Sequence, residues 1–285
     1  MKELIIIIVA YKSNNNIFKC IEKIKFYEKS IYIVDNSNDY LLKKNIKRKF
    51  KKINFFINKK NLGYGSANNQ ILKFANSKYA LLLNPDTLIS TNSIRKLIKK
   101  AKDINDDFAI LSPLKRDLNN IHIKDYYKPL SIFSNFNNQL MNLKSVNFHA
   151  PLLNLRIVKK IKFFDENFFL YLEDIDLCRR LIQNNENIFL LKTSSANHIS
   201  GQSSSSKDYI FIRYFHFGWS LIHYYKKNFG VILAFFISFH YIIKIIIKTF
   251  LYFFIGKNIF IENKFMIKGI VNSFFCNKDF FRNKY

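Results

Sequence analysis

The run Leu4-Ile5-Ile6-Ile7-Ile8-Val9-Ala10 limits the fold more than any other stretch. Its large aliphatic side chains leave no polar face, so a strand built from them must be covered on both sides. The run is too short for a signal-peptide core and no small-residue cleavage site follows it. It reads as the first strand of a buried sheet. Ile31–Asp35, Ile53–Ile57, Tyr79–Leu83 and Ala109–Ser112 read as further strands. Between them Ile17–Tyr27, Ser66–Asn76 and Ser93–Lys102 read as helices, the first with asparagines before it that can cap it. Strands alternating with helices predict an α/β fold with a mostly parallel central sheet flanked by helices. Ligands bind beyond the carboxyl ends of the strands in such sheets, and Asp35, Asn84 and Asp86 all fall at such ends.

The middle of the chain is less regular. Lys115 to Lys144 is rich in Asn, Tyr and Lys with weak periodicity, an excursion before a strand expected at Val146–Phe148. Leu172–Leu181 reads as a helix with Leu177 and Leu181 on one face and Arg179 and Arg180 near its C-terminal end, where cations suit the dipole. Ile188–Leu191 and Ala196–Ile199 look like short strands, and Ser203–Ser206 like a flexible polar loop.

Beyond Tyr209 the character changes. Phe211–Tyr225 is an aromatic helix ending in Lys226-Lys227, and Val231–Ile255 is almost wholly apolar, long enough to be considered as a transmembrane span. His240, Lys244 and Lys248 recur every four residues, which would put a polar stripe on one helical face. Basic residues flank both ends, Lys226 and Lys227 before it and Lys257, Lys264 and Lys268 after it. That balance disfavours carrying either end across a bilayer. The expectation is therefore a helix or shallow hairpin lying in the membrane interface, with lysines at anionic headgroups; a single span is the alternative. The chain divides on this reading into a domain over residues 1–215 and a helical membrane-associating region over residues 216–285.

Composition narrows the partners. Lys and Arg number 46 against 20 Asp and Glu, a net charge of +26 that attracts anions. Nucleic acid, anionic lipid and a nucleotide diphosphate all qualify, although Lys, Asn, Ile and Phe also accumulate when codons drift toward AT. No reader helix or repeated aromatic platform supports nucleic acid. Cys20, Cys178 and Cys276 are scattered with no Cys-x-x-Cys pair, against a disulfide framework or zinc site and in keeping with a reducing cytosol.

Chemistry concentrates in a few blocks. Asp35 follows a strand and precedes the turn-rich Asn36-Ser37-Asn38-Asp39, so it is either a ligand acceptor or an Asx-turn residue. Asn61-Leu62-Gly63-Tyr64-Gly65-Ser66-Ala67-Asn68 puts two glycines at a turn into a helix, suited to close approach of a phosphate and equally to an ordinary strand-to-helix turn. Asn84-Pro85-Asp86 presents a hard oxygen ligand on a rigid turn, as a divalent ion with diphosphate oxygens requires, or is simply a Pro-Asp turn. In Phe163–Arg180 five carboxylates lie among aromatic rings, which desolvate them and raise their basicity; the plain alternative is an acidic first helical turn after a solvent loop. His198 ends a short strand, where a lone His is more often structural than a ligand.

Together with Val9-Ala10-Tyr11, Val34-Asp35-Asn36 and His198, these blocks resemble the family-2 inverting glycosyltransferases, in particular the rhamnosyltransferase-like branch that builds bacterial surface polysaccharides. The resemblance runs over about the first 215 residues in the family's order. It implies a GT-A (Rossmann-like) fold and transfer from a nucleotide-sugar donor to a glycan or lipid-linked saccharide by inverting displacement. It assigns Ala10, Tyr11, Asp35, Asn61, Gly63, Gly65, Asn68 and Asn84 to the donor, and Asp86 with His198 to Mg2+ or Mn2+. Asp174 becomes the base, with Glu173 beside it as orienter or acceptor ligand. Two departures stand out: Asn84 where many relatives carry Asp, and His149-Ala150 where relatives often have Gly-Ala. The implied location is cytoplasmic, peripheral on the inner face of the membrane. A membrane-attached binding protein whose site has decayed and a nucleotidyltransferase on a similar fold are the competing readings; Tyr11-Lys12-Ser13-Asn14 lacks the Gly- and Arg-bearing signature the latter usually shows.

Overall fold

The computed structural model describes residues 2–13, 16–117, 120–121, 139–198, 207–253 and 259–276. In chain order the elements are β1 (Lys2–Ala10), α1 (Asn16–Lys23), β2 (Ile31–Asp35), α2 (Tyr40–Lys49), β3 (Asn54–Ile57), α3 (Tyr64–Leu72), β4 (Ser77–Leu82), β5 (Thr87–Ile89), α4 (Thr91–Asp103), β6 (Ile110–Asp117), β7 (Asn120–Ile121), β8 (Leu140–Asn142), β9 (Leu152–Asn154), α5 (Leu155–Lys160), α6 (Glu173–Gln183), β10 (Ile188–His198), α7 (Lys207–Phe229), α8 (Val231–Phe253) and α9 (Ile259–Phe275). A 3-10 turn over Lys25–Ser30 follows α1.

The packing divides the chain into two compact units. The first comprises residues 1–62, 66–165 and 174–203, and the second residues 63–65, 166–173 and 204–285. Helix α7 runs through residue 215 without a break.

One sheet organises the first unit, in the order β3-β2-β1-β4-β9-β6-β10-β5, with β7 added on β6 and β8 on β10. The β3-β2-β1-β4 half is parallel, as is the β6/β10 pair. The short strands β5, β7, β8 and β9 pair antiparallel. Leu4 to Ile8 are all buried, as a strand without a polar face demands. Helices cover it by amphipathic spacing. In α4, Ile94, Leu97, Ile98 and Ala101 face inward, and Ser90 caps the helix by accepting the Ser93 amide at 3.0 Å.

Several expectations need correction. Val146–Phe148 is not a strand. Leu140–Asn142 takes the place beside β10, and that ladder ends where the Leu143 amide donates to Ile188. Val146 and Phe148 are nonetheless buried in irregular backbone. The strands expected at Ile188–Leu191 and Ala196–Ile199 are one strand with a bulge between Leu191 and Ser195. The bulged residues turn toward α4, where Ser194 Oγ donates to the Ser93 carbonyl and Lys96 Nζ to that of Thr193. Ser203–Ser206, most of the 115–144 excursion, Ile199 and Ile255 lie outside the described residues.

The second unit is built on α7, α8 and α9. Where α7 and α9 cross, their backbones touch: a methyl group on Gly269 would overlap the Phe215 carbonyl, and one on Gly218 the Met266 carbonyl. Trp219, wholly buried, stacks on His223 with ring centroids 4.7 Å apart. Helix α8 buries Ala234, Ser238 and Ile245 and leaves Ile232, Phe235, Phe236, Phe239, Ile246 and Phe250 exposed. His240, Lys244 and Lys248 are exposed along one flank. Over Val231–Leu251 the helix is long and apolar enough to cross a membrane. An exposed glycine-to-alanine change in a helix stabilises by roughly 1 kcal/mol. Gly269→Ala should reverse that sign and destabilise by about 1–3 kcal/mol through overpacking, read as a lower unfolding midpoint of the full chain.

Candidate active site

Parallel pairing sets the carboxyl ends of β1 and β2 side by side, with Ala10 in register with Asp35. The Asn36 amide donates to the Ala10 carbonyl at 2.8 Å. Asp35 is fully buried, and both its oxygens are engaged: Ser37 Oγ donates to Oδ1 at 2.5 Å and the Asp39 amide to Oδ2 at 2.7 Å. The Lys12 amide in turn donates to Ser37 Oγ at 3.2 Å. The β1 and β2 turns, with Ala10, Tyr11 and Asp35, therefore form one hydrogen-bonded cluster at the sheet end. In the structure Asp35 fills the Asx-turn role that its sequence neighbours allow.

One strand further on, the Leu83 amide continues the ladder to Ile7, and the Asn84 amide donates to His149 at 3.0 Å. The Thr87 amide closes a turn on the Asn84 carbonyl at 3.0 Å, which presents Asp86 immediately before β5. Asp86 is buried to 6% exposure. The Cys20 thiol donates to the Asn84 carbonyl from beneath, and burial, with the Asp86 charge second, pushes that thiol well above its usual range. Pairing of β5 with β10 puts His198 opposite Thr87, one residue from Asp86. No group of three or more His, Cys, Asp or Glu residues forms a metal cage among the described residues. One carboxylate with a histidine position across the ladder still fits an ion that takes its remaining ligands from substrate phosphates and water.

The Asn61–Asn69 block splits in role. Asn61 and Asn68 are buried, and Gly65 lies in the first turn of α3. Gly63 has φ +83, and a methyl group there would overlap the Phe169 carbonyl; the Tyr64 amide donates to that same carbonyl at 3.2 Å. Its missing side chain thus admits protein backbone. Asn69, outside the expected site residues, clamps Phe164 like a ladder partner: Nδ2 donates to the Phe164 carbonyl at 2.9 Å and Oδ1 accepts its amide at 3.2 Å.

The acidic stretch is shaped by backbone geometry that few side chains favour. Lys162, Phe163, Tyr171 and Leu172 all have positive φ, between 57 and 70°. Arg180 holds the first pair, donating from Nη1 to the Ile161 carbonyl and from Nη2 to that of Phe163, both at 2.6 Å. Its Nε is fixed by buried Asp176 at 2.8 Å, so Asp176 is a supporting residue. The second left-handed pair immediately precedes Glu173 and Asp174, which open α6. Glu173 is buried, and Asp174 Oδ1 accepts the Ile175 amide at 2.8 Å. Burial pushes the Asp174 carboxyl up to about 6, against the opposing pull of that amide. On the same helix the Cys178 thiol meets the Val146 backbone, three residues before the His149 carbonyl that takes the Asn84 amide.

Two side chains were not legible as site residues. Within the second unit, Arg213 Nε donates to the Tyr171 hydroxyl at 2.5 Å, two residues before Glu173. With Tyr214, Phe217 and Met266 they line an open cavity of about 420 Å³. Burial raises the Tyr171 phenol, and Arg213 draws it back down. The sequence offered only an aromatic, basic helix, with nothing to link it to Tyr171.

A mixed sheet whose parallel half ends in such turns, flanked by helices, is a GT-A-type fold. The model of glycosyl transferase family 2 matches residues 5–165, more than half of the chain. The chain belongs to that family. The matched region holds Asp35, Gly63 and Asp86 and stops before Glu173 and Asp174. A curated relative, the low-salt glycan biosynthesis hexosyltransferase Agl10 of Haloferax volcanii, is 26% identical over 213 residues, 70% of this chain and 67% of its own. Among solved structures, GalNAc-T7 crystallised with UDP, GalNAc and Mn2+ superposes with a TM-score of 0.59 at 12% identity over 78% of this chain. S. aureus TarS gives 0.52 at 16% identity over 75%. The chain spans 51% and 39% of the length of those two structures.

The raised Asp174 carboxyl has a consequence for stability. An Asp whose folded pKa lies above its unfolded one costs nothing while both states are protonated, and the penalty grows as pH rises from about 4 to about 7. Asp174→Asn should therefore stabilise the protein near neutral pH and have almost no effect below about pH 4, measured by urea unfolding at both.

Proposed function

We propose that the protein transfers a sugar from a nucleotide-diphosphate donor to a glycan or lipid-linked saccharide in a single inverting displacement, with Asp174 as the base. The observation that carries this reading is the Asp174 carboxyl at the start of α6, set by two left-handed residues and raised to about 6. A base needs to be ionised at neutral pH yet keen enough for a proton to take one from a hydroxyl, and a pKa near the working pH meets both needs. Asp174 takes the acceptor hydroxyl proton as that oxygen attacks the anomeric carbon, and the bond to the donor's diphosphate breaks on the opposite side. Glu173, adjacent and buried, orients the acceptor.

On the donor side the β1 and β2 turns bind the nucleotide. Tyr11 lies against the base or ribose, and Asp35 accepts a pyrimidine N–H once the donor displaces part of its own turn. Asn61, Gly63, Gly65 and Asn68 shape the wall beside the diphosphate, and Asn84 donates to it. Asp86 and His198 would hold Mg2+ or Mn2+, which when bound neutralises charge on the departing diphosphate. That GalNAc-T7 was crystallised with UDP and Mn2+ supports this choice, as does the strand pairing that sets His198 opposite Thr87. The hexosyltransferase relative supports a hexose, and the resemblance to the rhamnosyltransferase-like branch keeps dTDP-rhamnose beside UDP-hexoses as a candidate donor. The exposed apolar face and basic flank of α8 favour attachment at the inner face of the membrane, where a lipid-linked acceptor would be met.

A panel of nucleotide sugars, screened by thermal shift with and without Mn2+, identifies the donor. With that donor, Asp174→Asn should lower kcat by about 10²–10⁴-fold and leave donor binding intact. kcat/KM should fall about tenfold per pH unit below about pH 6, as protonation removes the base. Chelation with EDTA should abolish turnover and added Mn2+ restore it in the wild type but not in Asp86→Asn. Equal rates in wild type and Asp174→Asn would refute the assignment of the base.

A further inference from the structure

Helices α8 and α9 do not close against each other along their whole length. They leave a trough of about 780 Å³ lined almost wholly by carbon. Ile246 and Phe250 of α8 form one wall, and Phe260 and Ile267 of α9 the other. At the floor the helices are tied by one polar link, Asn263 Nδ2 donating to Thr249 Oγ1 at 2.7 Å, with Thr249 in turn donating to the Ile245 carbonyl at 2.7 Å. That link satisfies polar groups that would otherwise oppose an apolar occupant. Phe250 is 70% exposed and Phe260 62%, although both belong to the trough. Water is a poor neighbour for such a surface, since exposed apolar patches rimmed by polar groups mark binding sites.

The rim identifies the occupant. Lys264 and Lys268, one turn apart on α9, both line the trough and both are exposed. Lys268 lies 5.7 Å from the centre of the Phe265 ring, which anchors it at this edge. Among the described residues, no Asp or Glu lines the trough. A long apolar slot with two ammonium groups at its edge complements a molecule with a hydrocarbon chain and an anionic head. A neutral sugar offers no chain, and free phosphate leaves the apolar walls wet.

We propose that the trough between α8 and α9 is a binding site for an anionic phospholipid, with an acyl chain between the helices and the lipid phosphate on Lys264 and Lys268. This deepens the membrane attachment proposed above and rests on it. It turns a diffuse attraction of a +26 chain for anionic surfaces into a defined site.

The test uses the full-length protein in a non-ionic detergent, titrated with tail-labelled phosphatidylglycerol and, in parallel, tail-labelled phosphatidylcholine. Phosphatidylglycerol should bind more tightly than phosphatidylcholine. The double variant Lys264→Gln/Lys268→Gln should weaken it about 25-fold, roughly fivefold for each lysine lost at an anionic headgroup. Ile246→Trp, which fills the slot and keeps every charge, should abolish saturable binding. Lys51→Gln/Lys52→Gln, which removes the same charge from an exposed loop of the other unit, should leave it unchanged. Circular dichroism confirms that each variant is folded. Equal affinity for the two lipids would overturn the proposal, as would equal loss in both lysine pairs or displacement of the lipid by millimolar inorganic phosphate. Flotation of the wild type on phosphatidylcholine–phosphatidylglycerol vesicles separates the two claims. A protein that floats but shows no Lys264/Lys268 dependence refutes the trough alone, and one that does not float refutes the attachment itself.

Discussion

Arg180 closes its guanidinium on two main-chain carbonyls, those of Ile161 and Phe163, while Asp176 beneath it fixes the third nitrogen. Charge-assisted bonds of this kind are the strong ones in a protein interior. They hold Lys162 and Phe163 in a left-handed conformation that costs of order 1 kcal/mol or more for each non-glycine residue. Asn69 fastens the next residue, Phe164, through both its amide and its carbonyl. The start of the acidic loop is thus over-determined in the first unit. Its later part is held in the second, where the Phe169 ring lies 4.4 Å from that of His216 and Ser220 donates to the Leu170 carbonyl. Asp174 lies in the first turn of the helix that follows, and burial raises its carboxyl.

The sheet was legible because its central strands are unambiguous. A residue run such as Leu4 to Ile8 has one stable environment, and the structure supplies it. Helix α2 was missed for the opposite reason: Leu42 and Ile46 are its buried anchors in a segment otherwise filled with Lys, Arg and Asn. Strands of three residues such as β9 carry no period to detect. Val146–Phe148 alternates like a strand, yet the ladder position beside β10 is taken by the residues just before it.

The positions of candidate site residues were legible where chemistry and strand end coincide, as for Asp35 and Asp86. They were opaque where a side chain acts on backbone far away in sequence. Asn69 and Phe164 are 95 residues apart, and neither residue type announces the other. Gly63 shows a related limit. Its glycine reads equally as room for a ligand or as part of an ordinary turn, and in the structure the Phe169 carbonyl occupies the space a side chain would take. Gly269 and Gly218 tell the same story in the helical unit, where glycine lets two backbones meet. Arg213 and Tyr171, which line one cavity, were separated in the sequence by a change of composition that disguised their meeting.

Membership of glycosyl transferase family 2 fixes the class; under the mechanism proposed above, Asp86 would attend the diphosphate and Asp174 the acceptor hydroxyl. The most direct measurement is a crystal structure with Mn2+ and an unreactive analogue of the nucleotide-sugar donor. The account predicts Mn2+ on Asp86 and the sugar's anomeric carbon facing Asp174, with Glu173 beside the acceptor and not at that carbon. A donor bound with Asp174 turned away from the anomeric carbon, or with another carboxylate placed to attack it, would contradict the account.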